Sequence, residues 1–407
     1  MNQNNTVGNR NLQLILFFIV GVLFFICISS FDPYITPYAM QLEIPVSKIG
    51  LVLSIAGAAS IVVRFPIGVF AEMFRKRKIL VQLGLMLTII CWLLAFLFPS
   101  ITTLSFGKIA DGVTGGTWVL YTVLFASYFK DEDIPKAMGM IQLASTIGPF
   151  IGMNIGGAVA KVLGYEYSFI VAVIAAIIGC FLLFFIKEQD AVTGVDAKMA
   201  WSYGKEQLLD RDVWILGLIA SVAMMTTYAG RDLLQPLMVS ELGGDAVALT
   251  ILPNLFMIFN SIATALSGIL FEKFGLVKTV AAGALGQGAV AILMPFSPTL
   301  GMLYVLQAAG GFFFGLTVTV LLALIIMGVR PEVQTSRMGL YQSIYSVGLM
   351  AGPIISGYIL EATSLKVTYF ILAIAIIVIG CLSKKLLPTH LLHKEEHAQS
   401  YVAKNMD

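Results

Sequence analysis

Twelve apolar runs govern what this chain can fold into. They lie near residues 12–38, 46–70, 79–98, 101–127, 137–160 and 165–186, then near 213–239, 246–271, 277–297, 299–328, 338–360 and 367–387. A helix needs about 20 mostly apolar residues to cross the hydrocarbon of a bilayer, and each run is long enough. Composition agrees with that reading. Charged residues make up 12% of the 407 positions and apolar residues 58%, whereas soluble domains carry about 25% charge. A water-soluble globule is excluded, and the expected fold class is an all-α membrane protein of twelve transmembrane helices. Residues 1–11 are polar with the single base Arg10, and the run after them is too long for a signal-peptide core, so it is read as the first span.

Basic residues then set an orientation. With both termini cytoplasmic, nineteen Lys and Arg fall on inside loops and tails, against Lys48, Lys161 and Lys366 outside. Such a bias is the positive-inside pattern. It predicts a multi-pass protein of a cell membrane, and the short loops and small termini suit a bacterium.

The two halves repeat at an offset of 200 residues. Gly68, Glu72, Phe74 and Lys78 recur as Gly268, Glu272, Phe274 and Lys278. Met138, Gly139, Gln142, Gly148, Gly152 and Gly157 recur as Met338, Gly339, Gln342, Gly348, Gly352 and Gly357. Parallel repeats of this kind place a pseudo-twofold axis along the membrane normal and a binding site between the halves. The expected organisation is a six-helix bundle over 1–187, a cytoplasmic linker over 188–212, a second bundle over 213–388 and a cytoplasmic tail over 389–407. The linker is read as a plain solvated segment, the alternative being that Trp201, Leu208 and Leu209 lay part of it on the membrane surface.

These motifs resemble the major facilitator superfamily, and the resemblance covers nearly the whole chain. The family signature Gly-x-x-x-Asp-Arg-x-Gly-Arg-Arg, between spans two and three, is similar to Gly68-Val-Phe-Ala-Glu72-Met-Phe74-Arg75-Lys76-Arg77-Lys78. Its second copy is Gly268-Ile-Leu-Phe-Glu272-Lys273-Phe274-Gly275. The resemblance implies a conformational latch made of Gly68, Glu72, Arg75, Gly268, Glu272, Lys273 and Arg337, with Glu72 facing the start of the eleventh span. A carboxylate at a helix N-terminus contributes about 0.3–2 kcal/mol, enough to bias a two-state equilibrium. In span five, Gly148-Pro149-Phe-Ile-Gly152-Met-Asn-Ile-Gly156-Gly157 looks like the glycine-rich motif of the antiporter branch, and span eleven carries its counterpart around Gly352 and Pro353. Lys108-Ile-Ala-Asp111-Gly112 resembles the Arg-x-x-x-Gly motif of span four, with Lys in place of Arg.

Charges inside a span cost about 2.5–3.5 kcal/mol each, so those present are functional candidates. Asp32, Arg64, Lys108, Asp111 and Arg231 are the substrate or proton-coupling candidates. Asp32 and Arg231 sit at matching depths in spans one and seven, as an outer gate would require. Lys108 and Asp111, three apart, share a helix face. Arg231 and the adjacent Asp232 are expected to point apart. Phe31, Tyr34, Tyr38, Trp118, Tyr121 and Tyr228 are expected to line the cavity.

Other chemistry finds little support. Cys27, Cys91, Cys180 and Cys381 all fall in apolar runs and read as small core hydrophobes. His393 to His397 spell a His-x-x-Glu-His pattern, but in a polar tail without a scaffold. No phosphate-binding loop occurs, and no basic stripe suggests nucleic acid. The expectation is a non-enzymatic monomer without a cofactor, whose partners are a small-molecule substrate, a coupling proton and the lipid bilayer. It would work by alternating access as a proton-coupled exporter of a drug-like compound or a polar or zwitterionic metabolite. An uptake symporter for an organic anion, and a non-transporting sensor on the carrier fold, are the alternatives.

Overall fold

The computed structural model describes residues 3–74, 77–129, 134–188, 202, 205–326, 329 and 331–387. Helices account for the long elements, as hydrocarbon requires, because only intrahelical bonds satisfy every backbone N–H and C=O there. The first half contains α1 (Gln3–Ser29), α2 (Asp32–Gln41), α3 (Val46–Phe74), α4 (Arg77–Leu97), α5 (Ile101–Ala126), α6 (Ile134–Leu163) and α7 (Tyr167–Phe185). The second contains α8 (Arg211–Tyr228), a π-helical turn over Ala229–Leu234, α9 (Gln235–Glu241), α10 (Ala246–Phe274), α11 (Leu276–Leu293), α12 (Leu300–Ile326), α13 (Pro331–Ala362) and α14 (Leu365–Leu386). Among the described residues, eleven segments are long and apolar enough to cross a membrane, with α1–α2 and α8–α9 each counting as one. The remaining long helix, α5, has 26 residues and carries Lys108 and Asp111.

The chain divides into two compact units, one of residues 1–201 with 245–250, the other of 202–244 with 251–407. Inside the first, α1 packs on α6, α5 on α3 and α4, and α7 on α4 and α1. Inside the second, α8 packs on α13, and α11 on α12 and α14. Spans one and five thus pair in one unit as spans seven and eleven do in the other. The 200-residue repeat survives down to backbone detail. Helices α3 and α10 are both 29 residues long and start 200 positions apart. The preceding turns place Glu43 at φ 58° and Gly243 at φ 70°. Each is closed by a matching pair of hydrogen bonds, from Glu43 and Ile44 to Met40 and Ala39, and from Gly243 and Gly244 to Ser240 and Val239. Asp245 caps α10 by accepting from the N–H groups of Val247 (2.9 Å) and Ala248 (3.1 Å). Those bonds, offset by slight burial and helped by Lys161, hold its carboxyl below the usual range.

Both lead spans are irregular where the sequence puts charge beside proline. Pro33 lacks an N–H and its ring meets the carbonyl four residues back, and the chain breaks between Ser29 and Asp32. Pro236 follows the π-helical turn, which widens the same stretch of span seven.

The glycine-rich motifs become close helix crossings. A Cβ added at Gly148 would lie 2.5 Å from Phe25 Cβ, and one at Gly152 would lie 3.0 Å from Ile26 Cα. A Cβ on Gly156 would strike the Ser30 carbonyl, and one on Gly157 would lie 2.5 Å from the Tyr34 hydroxyl. In the second unit Gly348 abuts the Ser221 carbonyl, and a Cβ on Gly352 would come 2.6 Å from the Met225 carbonyl. Small residues at i and i+4 are what lets two backbones approach in this way. Pro149 and Pro353 sit inside their helices beside these contacts. An aromatic core stiffens the first unit, where Phe17, Phe24, Trp118 and Tyr121 contact ring to ring. Large apolar side chains such as Ile174, Phe181, Phe184, Leu218 and Ile374 stay exposed, as a hydrocarbon-facing surface requires and a water-facing one does not.

Candidate functional site

Asp32 opens α2, Lys108 and Asp111 sit one turn apart on α5, and Trp92 projects from α4. In the first unit these four converge. Lys108 Nζ lies 2.8 Å from Asp32 Oδ1 and 3.4 Å from Asp111 Oδ2. Trp92 Nε1 donates to Asp111 Oδ1 at 2.8 Å. Lys108 and Asp111 are each 7% exposed at the side chain, and Asp32 is 30% exposed. The walls are aromatic. Phe31 and Trp92 stand 3.9 Å apart between ring centroids, Phe169 lies 4.8 Å from Trp92, and the Lys108 ammonium sits 5.2 Å over Phe31.

Two acids and one base make a cluster that carries net charge −1 when all three are ionised. Burying such a charge is costly, and one added proton neutralises it. Asp32 is the more exposed acid, while Asp111 is fixed from both sides by the ammonium and the indole. The arrangement can hold a proton, or exchange it for another cation. Spacing alone brought Lys108 and Asp111 together. Asp32 reaches them through the break after Ser29, and Trp92 was missed. A tryptophan at membrane depth needs a partner for its N–H, and that was the signal available.

Arg231 is ion-paired within its own span. It pairs with the adjacent Asp232, Nε to Oδ1 at 2.5 Å and Nη2 to Oδ2 at 3.2 Å, and lies 4.3 Å over the Tyr228 ring. Sequence neighbours on an α-helix diverge, but here both belong to the π-helical turn, and the long arginine folds back within it. Three of the aromatics expected to line a cavity are enclosed by packing, Phe31 as part of the wall around Lys108. Phe31, Tyr34 and Tyr121 are fully buried, with the Tyr34 and Tyr121 hydroxyls donating to the Met153 and Phe17 carbonyls. Cys27, Cys91 and Cys180 are buried as expected, whereas Cys381 is exposed.

The latch residues are described only in part. Arg75 lies outside the described residues, as do the side chains of Arg64, Glu72 and Glu272 and the surroundings of Gly68 and Gly268. Lys273 lies 5.5 Å over the Phe274 ring. Lys78, the last base of the motif, caps α7 by donating to the carbonyls of Phe184 (3.1 Å) and Ile186 (2.7 Å). Arg337 is buried and makes three hydrogen bonds through Nε and Nη1. Its Nε donates to the Ile325 carbonyl at 2.7 Å, and Nη1 donates to Gln207 Oε1 at 3.1 Å and to Asp210 Oδ2. Asp210 also caps α8 by accepting from the Asp212 N–H at 2.8 Å. Partial burial pushes the Asp210 carboxyl up, but the bonds from Arg337 and the backbone outweigh it and leave the carboxyl below its usual range. The end of the linker is therefore a fastening, in contrast to the solvated segment expected there.

Comparison with known proteins places the fold. The chain is 22% identical over 338 residues to the uncharacterised transporter YuxJ of Bacillus subtilis, an alignment spanning 77% of this chain and 82% of that protein. It is 24% identical over 263 residues to the purine ribonucleoside efflux pump NepI of Escherichia coli K12, spanning 61% of this chain and 62% of that one. Among solved structures, a bacterial homologue of the human lysosomal transporter Spinster superposes with a TM-score of 0.74 at 14% identity, covering 97% of this chain and 98% of that one. The nucleoside transporter NupG superposes with a TM-score of 0.72 at 16% identity, covering 92% of this chain and all of that one. The profile of the Major Facilitator Superfamily matches residues 17–235 and 216–403, and with that match over nearly the whole length the chain belongs to the major facilitator superfamily of membrane transporters.

Proposed function

We propose that this carrier exports a small polar solute by alternating access, driven by the proton gradient through the Asp32–Lys108–Asp111 cluster. The observation that carries the reading is that one buried ammonium is shared by two carboxylates, one buried and one partly exposed. In a low-dielectric site that set is one proton short of neutral. Protonating either acid leaves a neutral pair and releases part of the hold on Lys108. Access to water on alternate sides would then load and discharge the proton at different steps, coupling its passage to that of the solute. The purine ribonucleoside efflux pumps among the relatives support export, and together with NupG they favour an uncharged nucleoside-like solute. Residues 1–187 and 213–388 are proposed as the two moving bundles of a monomer, with 188–212 as their link and both termini cytoplasmic. Glu72 and Glu272 are proposed to latch one access state.

The test uses the full chain in proteoliposomes under an imposed pH gradient, with radiolabelled inosine as solute. Gradient-driven inosine flux should appear with the wild type and fall to the empty-liposome level with Asp111→Asn. Gradient-independent flux in both would remove the proton from the account. Co-directional movement of inosine and protons would replace export with uptake.

A further inference from the structure

Ten buried side-chain nitrogen and oxygen atoms lack a hydrogen-bond partner among the described residues, and four of them belong to residues lining one cavity of the second unit. They are Gln235 Oε1 from α9, Gln287 Oε1 from α11, Gln307 Nε2 from α12 and Tyr369 Oη from α14. All four residues are at most 4% exposed. Unpartnered polar atoms this deep are costly, and native proteins leave few of them. Four around one cavity of about 40 Å³ point to an occupant.

The hydrogen bonds already present say what that occupant must offer. Gln287 Nε2 is used twice, donating to the Ala223 carbonyl at 3.0 Å and to Thr227 Oγ1 at 2.7 Å, so its oxygen is the open group. Gln235 Nε2 donates to Gln307 Oε1 at 2.6 Å. Two amides joined by one bond leave one oxygen and one nitrogen unpartnered, whichever way the pair is oriented. The unpartnered atoms are therefore two acceptor oxygens, one donor nitrogen and one hydroxyl. Arg231 also borders the cavity, but its charge is matched by Asp232. Phe256 and Met294 add apolar lining. A planar, uncharged group with an N–H and a C=O side by side satisfies the paired glutamines as a third amide would. The volume admits one such group or about three waters, and is far below the few hundred Å³ of a whole-ligand site.

We propose that this cavity is a recognition subsite for the carboxamide or lactam edge of the transported solute. The inference rests on the carrier reading and adds the chemical class of the group recognised. A π-helical turn beside the cavity fits such a role, since these turns recur at functional sites.

The test is ligand-observed NMR titration of the full chain in nanodiscs, without any pH gradient. The probes are nicotinamide and 2-pyridone, each against a partner lacking the edge, 3-acetylpyridine and pyridine. Nicotinamide and 2-pyridone should bind at least about fivefold more tightly than their partners. Gln235→Met with Gln307→Met should abolish that preference. Tyr369→Phe removes one oxygen and little volume, so it folds, and should weaken binding roughly three- to tenfold. If the double variant loses its monodisperse elution profile, Gln287→Met and Tyr369→Phe carry the test alone. Equal binding of probes and partners, unchanged affinity in the folded variants, or no binding of either amide would overturn the proposal and leave the cavity to water. Binding retained without gradient-driven flux would instead fault the coupling, so the two readings fail separately.

Discussion

Trp92 holds Asp111 with a single indole N–H at 2.8 Å, so this one bond can be removed while most of the ring is kept. Trp92→Phe leaves Asp111 Oδ1 without that donor. A hydrogen bond to a charged group contributes about 1.5–3 kcal/mol, so gradient-driven flux should fall about tenfold or more while the protein still folds and elutes normally. Asp210 offers a second residue-scale test. Its carboxyl is held below the usual range, so the stability it contributes is present above the ordinary carboxylate pKa and disappears as pH falls through the lowered value. Asp210→Asn should lower the melting temperature at neutral pH by an amount reflecting about 1–3 kcal/mol. That difference should shrink in acid, as measured by thermal unfolding across pH, and a pH-independent difference would contradict the assigned bonds. Lys108 and Asp111 were legible as a pair because three-residue spacing on a helix fixes a shared face. Asp32, Trp92 and Asp210 were not, because their contacts depend on a helix break and on packing between elements distant in sequence.

At the level of elements, the sequence repeat predicted glycine-rich crossings, and Gly148 and Gly152 of α6 against α1 and Gly348 and Gly352 of α13 against α8 make them. Gly352→Leu should prevent the α8–α13 approach and cost about 3 kcal/mol or more, since overpacking a tight crossing forces backbone shifts. Gly339→Ala, on the same helix with nothing among the described residues within 4 Å of the added Cβ, should be neutral in the same thermal assay. The paired turns give a finer comparison. Glu43 adopts a left-handed conformation that its counterpart Gly243 adopts freely. Glu43→Gly should therefore stabilise by up to about 1 kcal/mol and Gly243→Ala should destabilise by about 1 kcal/mol. The prolines marked where the lead spans bend, but proline alone does not say whether the chain breaks, as at Ser30, or widens into a π-helical turn, as at Ala229–Leu234.

For the whole molecule, twelve apolar runs and a 200-residue repeat carried the fold. In a bilayer the backbone has one cheap solution per span, and gene duplication leaves its period in the chain. The polar constellations were less visible. Gln235, Gln287 and Gln307 are scattered over three elements with no mutual spacing, and only the fold brings their unsatisfied amides to one cavity. The measurement that tests the central claim most directly is a comparison of intracellular and medium metabolites. It uses cells expressing the wild type, Asp111→Asn or an empty vector, each with and without a protonophore. The account predicts a solute depleted inside and enriched outside only with the wild type and an intact gradient, with the variant matching the vector. Export by the Asp111→Asn variant at the wild-type level and with the same protonophore sensitivity would contradict it.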